Sequence, residues 1–194
     1  TGWKFFGNLL QAGRISLCGE ESAGASSDHI REKDGLWAIL MWLNILASRH
    51  QSVENVISDH WLTYGRHYYS RHDYEGVDKA QADAVMSGLS EKLESLVGKT
   101  FQDETVSKAD NFSYHDPVDG SVSHNQGLRV EFESGSRFVI RLSGTGTVGA
   151  TLRLYLEKYE PKDGDLKQDV QIALQPIAEI AEEIAKIKST VKRE

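Results

Sequence analysis

The stretch RLSGTGTVGATLRLY (141–155) gathers side chains suited to holding an anion. Arg141 and Arg153 can each grip a phosphate through two parallel hydrogen bonds. Between them Ser143, Thr145 and Thr147 offer hydroxyl donors, while Gly144, Gly146 and Gly149 let backbone N–H groups converge on a concave nest. The run GTGTVG also matches the G-x-G-x-x-G dinucleotide fingerprint letter for letter. That fingerprint needs a strand before the glycines and a helix after them, because the helix N-terminus holds the pyrophosphate. Here apolar and polar residues alternate on both sides, so a strand precedes and another follows. The dinucleotide reading fails. A phosphate site is favoured over a glycine-rich hairpin with solvated arginines.

Other clusters carry less. CGEESAG (18–24) packs Glu20, Glu21 and Ser22 into a turn whose carboxylates could accept bonds from sugar hydroxyls or act as acid or base. From the residue types alone, a polar surface turn is favoured. Ser22 is not in a G-x-S-x-G context, so a nucleophile elbow has no support. The 7 histidines include no H-E-x-x-H pair, and Cys18 has no cysteine partner. Surface or interface histidines are favoured over a metal site. DPVDGS (116–121) carries part of a calcium loop without its remaining ligands and reads as a turn.

The elements that must position these residues change character along the chain. The apolar run LWAILMWLNILA (36–47) predicts a helix that needs cover on both sides and is too short to span a bilayer. Isolated from such cover, it would expose a patch able to drive self-association. RISLCGEES predicts a short buried strand entering a turn. SVENVISDHWLTYG (52–65) predicts a capped helix, RHYYSRHDYEGV (66–77) a strand, and residues 79–98 one amphipathic helix closed by Gly98. From 105 to 160 the period becomes two, with a turn around Ser134–Ser136 between two strands. From about Asp169 a helical spacing of isoleucines runs to Val191, with Pro176 starting or kinking it. The result is an α+β fold: an antiparallel-rich sheet backed by helices, preceded by a truncated piece of an α/β domain.

A chain of 194 residues suits one well-cored domain or two small ones. Its 29 acidic against 22 basic residues give a net charge of −7, which argues against general binding to nucleic acid or anionic membranes. The lone Cys18 excludes an intrachain disulfide and suggests a reducing compartment. No secretory leader pattern opens the chain, and no methionine does, which suits a processed chain or a piece of a longer one.

Five motifs then coincide in order: TGWKFFGNL, LCGEES, SDHIREKDGLWA, KADNFSYHDPVDGS and RLSGTGTVGATLRLYLE. Together they resemble the C-terminal part of the phosphoglucomutases, within the α-D-phosphohexomutase superfamily, over essentially the whole chain. The resemblance implies interconversion of glucose 1-phosphate and glucose 6-phosphate through a phosphoserine and a glucose 1,6-bisphosphate intermediate, with Mg2+ assisting, in a cytoplasmic enzyme. It implies that residues 1–50 end a sugar-binding α/β third domain, 51–65 form a helical connector, and 66–194 form a phosphate-binding fourth domain. Thr1, Gly2, Glu20 and Ser22 then fall on the sugar side, and Lys33 reaches towards the reacting phosphosugar. Arg141, Ser143, Gly144, Thr145, Gly146 and Arg153 fall on the phosphate grip. The partners implied are a phosphorylated hexose and the N-terminal domains of the same enzyme. Ala23, where animal enzymes carry phenylalanine, suggests a bacterial source. Neither the T-A-S-H-N-P serine loop nor the D-G-D-G-D-R metal loop occurs here, so this chain alone is expected to be inactive. The competing expectation is a catalytically silent relative that binds phosphosugars or partner proteins.

Overall fold

The computed structural model describes residues 3–20, 24–143 and 149–192. In chain order the elements are α1 (Trp3–Gln11), β1 (Leu17–Gly19), β2 (Ala25–Ser27), α2 (Gly35–Arg49) and α3 (Val53–Tyr64). There follow β3 (Arg66–Val77), α4 (Lys79–Ser90), α5 (Leu93–Leu96), β4 (Thr100–Phe101), β5 (Glu104–Asn111), β6 (Tyr114–His115) and β7 (Val122–Ser123). The chain continues through β8 (Leu128–Phe132), β9 (Arg137–Ser143), β10 (Ala150–Glu160), α6 (Val170–Ala185) and α7 (Ile187–Val191). These form two compact units, one of residues 1–60 and 114–123, the other of 61–113 and 124–194.

In the first unit, α1 buries Phe5 and Leu10. The Phe5 ring lies 4.2 Å from that of Tyr114 on the β6–β7 hairpin. Asn8 Nδ2 donates to Asp116 at 2.8 Å, and Asp116 in turn accepts from the backbone N–H of Val118. The DPVDGS segment is thus a turn closed by its own aspartates. β1 and β2 pair as a short antiparallel hairpin, but Leu17 is 62% exposed, so the predicted buried strand is a surface one. Three residues are too few to present a continuous apolar face.

α2 forms where its apolar run predicts. Asp34 caps it by accepting from Trp37 N–H at 2.9 Å, and His50 closes it in the left-handed conformation. None of its residues is buried, and Leu36 is 75% exposed. Among the described residues nothing covers this helix on both sides. At 15 residues, α2 is not long and apolar enough to cross a membrane, and neither is any other helix among the described residues.

In the second unit, the described residues build a six-stranded antiparallel sheet in the order β3-β10-β9-β8-β5-β4. Strand alternation sends Leu128, Val130, Phe132, Phe138, Ile140, Leu152, Leu154 and Leu156 to one face, where all are buried. α4 and α6 cover that face with Val85, Leu89, Leu174, Ile177 and Ile180. Two predicted helices are each split. The 79–98 run breaks after Ser90, where Lys92 N–H turns back to Leu89 C=O, and α5 resumes with Leu93 and Leu96 buried. The last run breaks at Lys186, in the left-handed region at φ 52, before α7. Pro176 neither starts α6 nor ends it. It lies inside, on the exposed side, where water can satisfy the carbonyl that loses its N–H partner.

Candidate functional site

β9 and β10 pair antiparallel on either side of the glycine run, with Ser143 opposite Thr151 and Arg141 opposite Arg153. The run therefore connects adjacent strands, as its flanks predict. Arg141 and Arg153 stand on the sheet face away from the helices, since their neighbours Ile140, Leu142, Leu152 and Leu154 turn inward. Two like charges directly opposite each other repel, and the Asp73 carboxylate on β3 stands 3.8 Å from Arg153 beside them. The stem of Arg141 lies over Gly127, where an added Cβ would come within 2.9 Å of Arg141 Cγ. Among the described residues, Ser143 Oγ makes a long bond of 3.5 Å to the Thr151 carbonyl. At the loop foot Gly149 has φ 103 and approaches Gly76 so closely that a Cβ would lie 3.0 Å from its Cα. Gly144, Thr145 and Gly146 lie outside the described residues.

The same sheet face continues as a charged ladder. Arg129 grips Asp110 through Nε at 3.0 Å and Nη2 at 2.8 Å, and this guanidinium holds the Asp110 carboxyl below the usual carboxylate range. His67 Nδ1 meets Glu157 at 2.7 Å, and Asp73 lies on its face of β3, while His72 alternates to the other. His67 and Asp73 thus share a face that His72 does not. Among the described residues no three His, Cys, Asp or Glu side chains are grouped to hold a metal ion.

In the first unit, Glu20 and Lys33 meet: Lys33 Nζ lies 2.5 Å from Glu20 Oε2 and 5.6 Å from the centre of the Trp3 ring. Glu20 N–H donates to Gly24 C=O at 2.7 Å, which ties the end of β1 to the start of β2. The loop bearing Lys33 is fixed by a chain of side chains. Ser27 Oγ lies 2.6 Å from His29 Nδ1, and His29 Nε2 lies 3.0 Å from Asp34. The hydrogen bond from His29, followed by that from Trp37 N–H, holds the Asp34 carboxyl below its ordinary value. Thr1, Gly2 and Ser22 lie outside the described residues. Such a paired carboxylate and ammonium can accept from and donate to neighbouring hydroxyl groups of a polyol.

Sequence reasoning passed over Gly24. A Cβ there would lie 2.8 Å from Lys33 Cδ and 3.1 Å from Glu20 Oε2. The blocked atoms belong to flexible side-chain ends, so Gly24→Ala should stay folded, within about 0.5 kcal/mol of the parent. Its crystal structure should show Lys33 and Glu20 driven apart to beyond the ion-pair limit of about 4 Å. An unchanged pair would show that Gly24 has no part in seating it. Gly127, under the stem of Arg141, was passed over too, and the register of Asp73 opposite Arg153 was not foreseen. Their signal lies in strand register, which spacing along one strand does not reveal.

The description "Phosphoglucomutase-1, C-terminal domain" matches residues 66–194, and "Phosphoglucomutase/phosphomannomutase, alpha/beta/alpha domain III" matches residues 1–64. The chain is 57% identical over 189 residues to a phosphoglucomutase of Rhizobium radiobacter, covering 97% of this chain and 35% of that protein. It is 54% identical over 199 residues to phosphoglucomutase-1 of Oryctolagus cuniculus, covering 100% of this chain and again 35% of the relative. A solved open form of pp63/parafusin, an exocytosis-sensitive phosphoprotein and phosphoglucomutase from Paramecium, matches with a TM-score of 0.90 at 48% identity, over 100% of this chain and 34% of that one. The chain thus spans about a third of the length of the relatives it matches. With both parts of the sequence matched in order, the chain belongs to the phosphoglucomutase/phosphomannomutase family.

Proposed function

We propose that this chain supplies sugar and phosphate binding to a phosphoglucomutase, a cytoplasmic enzyme that interconverts glucose 1-phosphate and glucose 6-phosphate through a glucose 1,6-bisphosphate intermediate. The observation that carries this reading is the pair of arginines on directly opposed positions at the feet of the glycine loop, in a chain 57% identical to a phosphoglucomutase. In this reading Arg141, Ser143, Gly144, Thr145, Gly146 and Arg153 hold the phosphate that does not react. Thr1, Gly2, Glu20 and Ser22 address the sugar hydroxyls, and Lys33 reaches the reacting end. The bisphosphate must turn round between two transfers, so one grip has to accept either end of the sugar. Guanidinium, hydroxyl and backbone donors do so, because a phosphate monoester is nearly symmetric about its ester bond. Phosphoryl transfer then depends mainly on positioning and charge stabilisation.

Magnesium, which the family resemblance implies, finds no ligand set among the described residues. We assign the ion and the phosphoryl-carrying serine to other domains of the enzyme. We read residues 1–50 as the end of a third domain, 51–65 as the connector and 66–194 as a fourth domain. Ala23 remains the argument for a bacterial source. Titration of the 194-residue chain with glucose 1-phosphate and glucose 6-phosphate, followed by NMR, tests the reading. Both ligands should shift the amides of residues 144–151 in preference to distant ones, and the chain should show no mutase turnover. Turnover by this chain alone would overturn the reading, and silent amides would remove its phosphate grip.

A further inference from the structure

The row Asp73, Arg153, Arg141 crosses three adjacent strands at directly opposed positions of β3, β10 and β9. Asp73 Oδ1 accepts from Arg71 Nε at 2.9 Å, while Oδ2 stands 3.8 Å from Arg153 Nε. The Asp73 side chain is 23% exposed and that of Arg153 38%, so the pair is partly withdrawn from water. Arg153 Nε itself is buried and donates to no acceptor among the described residues. A separation of 3.8 Å is an ion-pair contact, not a hydrogen bond.

We infer that Asp73 is a positioning residue for the phosphate grip, holding the Nε edge of Arg153 so that the opposite guanidinium edge is presented to a phosphate dianion. The inference rests on the phosphate-binding reading above. A guanidinium has two forked edges, one built from Nε and one Nη, the other from both Nη atoms. Burial of Nε beside Asp73 withdraws the first and leaves the second. Arg71 fixes the carboxylate from its other oxygen, so Asp73 cannot swing away from β10 without breaking a bond of its own. Asp73 also offsets one of the two charges that oppose each other across β9 and β10. Without it, Arg153 would be repelled by Arg141 and lose its orienting partner.

The sign of the effect separates positioning from simple electrostatics. Removing an acid near an anion site should tighten binding if only net charge matters. Removing a positioning acid should weaken it. The 194-residue chain is titrated with inorganic phosphate and then glucose 6-phosphate, following the Arg153 Nε–H resonance and the amides of residues 149–153. Asp73→Asn should weaken both ligands about tenfold and broaden the Nε–H signal through faster exchange with water. Asp73→Glu should restore most of the affinity and the signal, with amides remote from β3 and β10 unmoved in both variants. Equal or tighter binding in Asp73→Asn, with Nε–H unchanged, would overturn the inference and leave the phosphate reading standing. Undiminished binding in Arg153→Ala would remove both.

Discussion

Arg141→Ala should lower kcat/KM for glucose 1-phosphate by about 2–4 kcal/mol of transition-state stabilisation in an enzyme carrying this sequence. The size follows from what disappears: a charged, forked donor whose interaction with a phosphate dianion is charge-assisted. Ser143→Ala should lose less, about 0.5–1.5 kcal/mol, since one neutral hydroxyl disappears and its bond in the free protein is long. Stability should hardly move. Arg141 points to the sheet face away from the packed core, so truncating it opens no buried cavity. Thermal unfolding of the variant should therefore be nearly unchanged. Steady-state kinetics with both glucose phosphates and a thermal melt check the two halves together. Unchanged kinetics would remove Arg141 from the site, and a lowered melt would make it a structural residue.

The strands were legible because alternation reports directly on a sheet with one covered face. ATLRLYLEKYE put three leucines on one side, and all three are buried against the helices. The rejection of the dinucleotide reading followed from that same alternation on both sides of GTGTVG. Helix breaks were less legible. Apolar spacing continues smoothly through Lys92 and Lys186, and only local backbone turns show that α4 and α6 stop there. The apolar run of α2 fixed its helicity but not its burial, because cover depends on residues elsewhere. Among the candidate site residues, Glu20 and Lys33 are 13 positions apart, and the sequence alone placed neither against the other. The bond between Glu20 and Gly24 beside the β1–β2 pair, and the loop locked by His29, bring them to 2.5 Å. Asp73 is more distant still from Arg153 in sequence. Pairing across strands is decided by register, which depends on every turn between them, and residue spacing carries no record of it.

The largest loss of stability should come from Phe138→Ala. Phe138 is wholly buried on β9, opposite Leu156 on β10 and Val130 on β8, with its ring centre 6.3 Å from that of Phe132. Strands on both sides of β9 and helices over its inner face restrict how far the surroundings can relax into the space left behind. Truncation should then remove the transfer free energy of the ring and leave a cavity, together about 3–5 kcal/mol. Ile172→Ala on the 58% exposed side of α6 provides the contrast, with an expected change within about 0.5 kcal/mol. Urea unfolding of the two variants, monitored by the far-UV signal of the sheet, compares them directly. A loss below about 1 kcal/mol for Phe138→Ala would mean that the helices do not cover this face as the structure places them. The two faces of β9 also separate stability from binding. Phe138 and Ile140 point into the core, while Arg141 points to the opposite face. Phosphate affinity of the folded Phe138→Ala protein should accordingly match the parent, whereas Arg141→Ala should lose affinity at undiminished stability. If both properties fell together in either variant, the strand would not be insulating its charged face from its packed one.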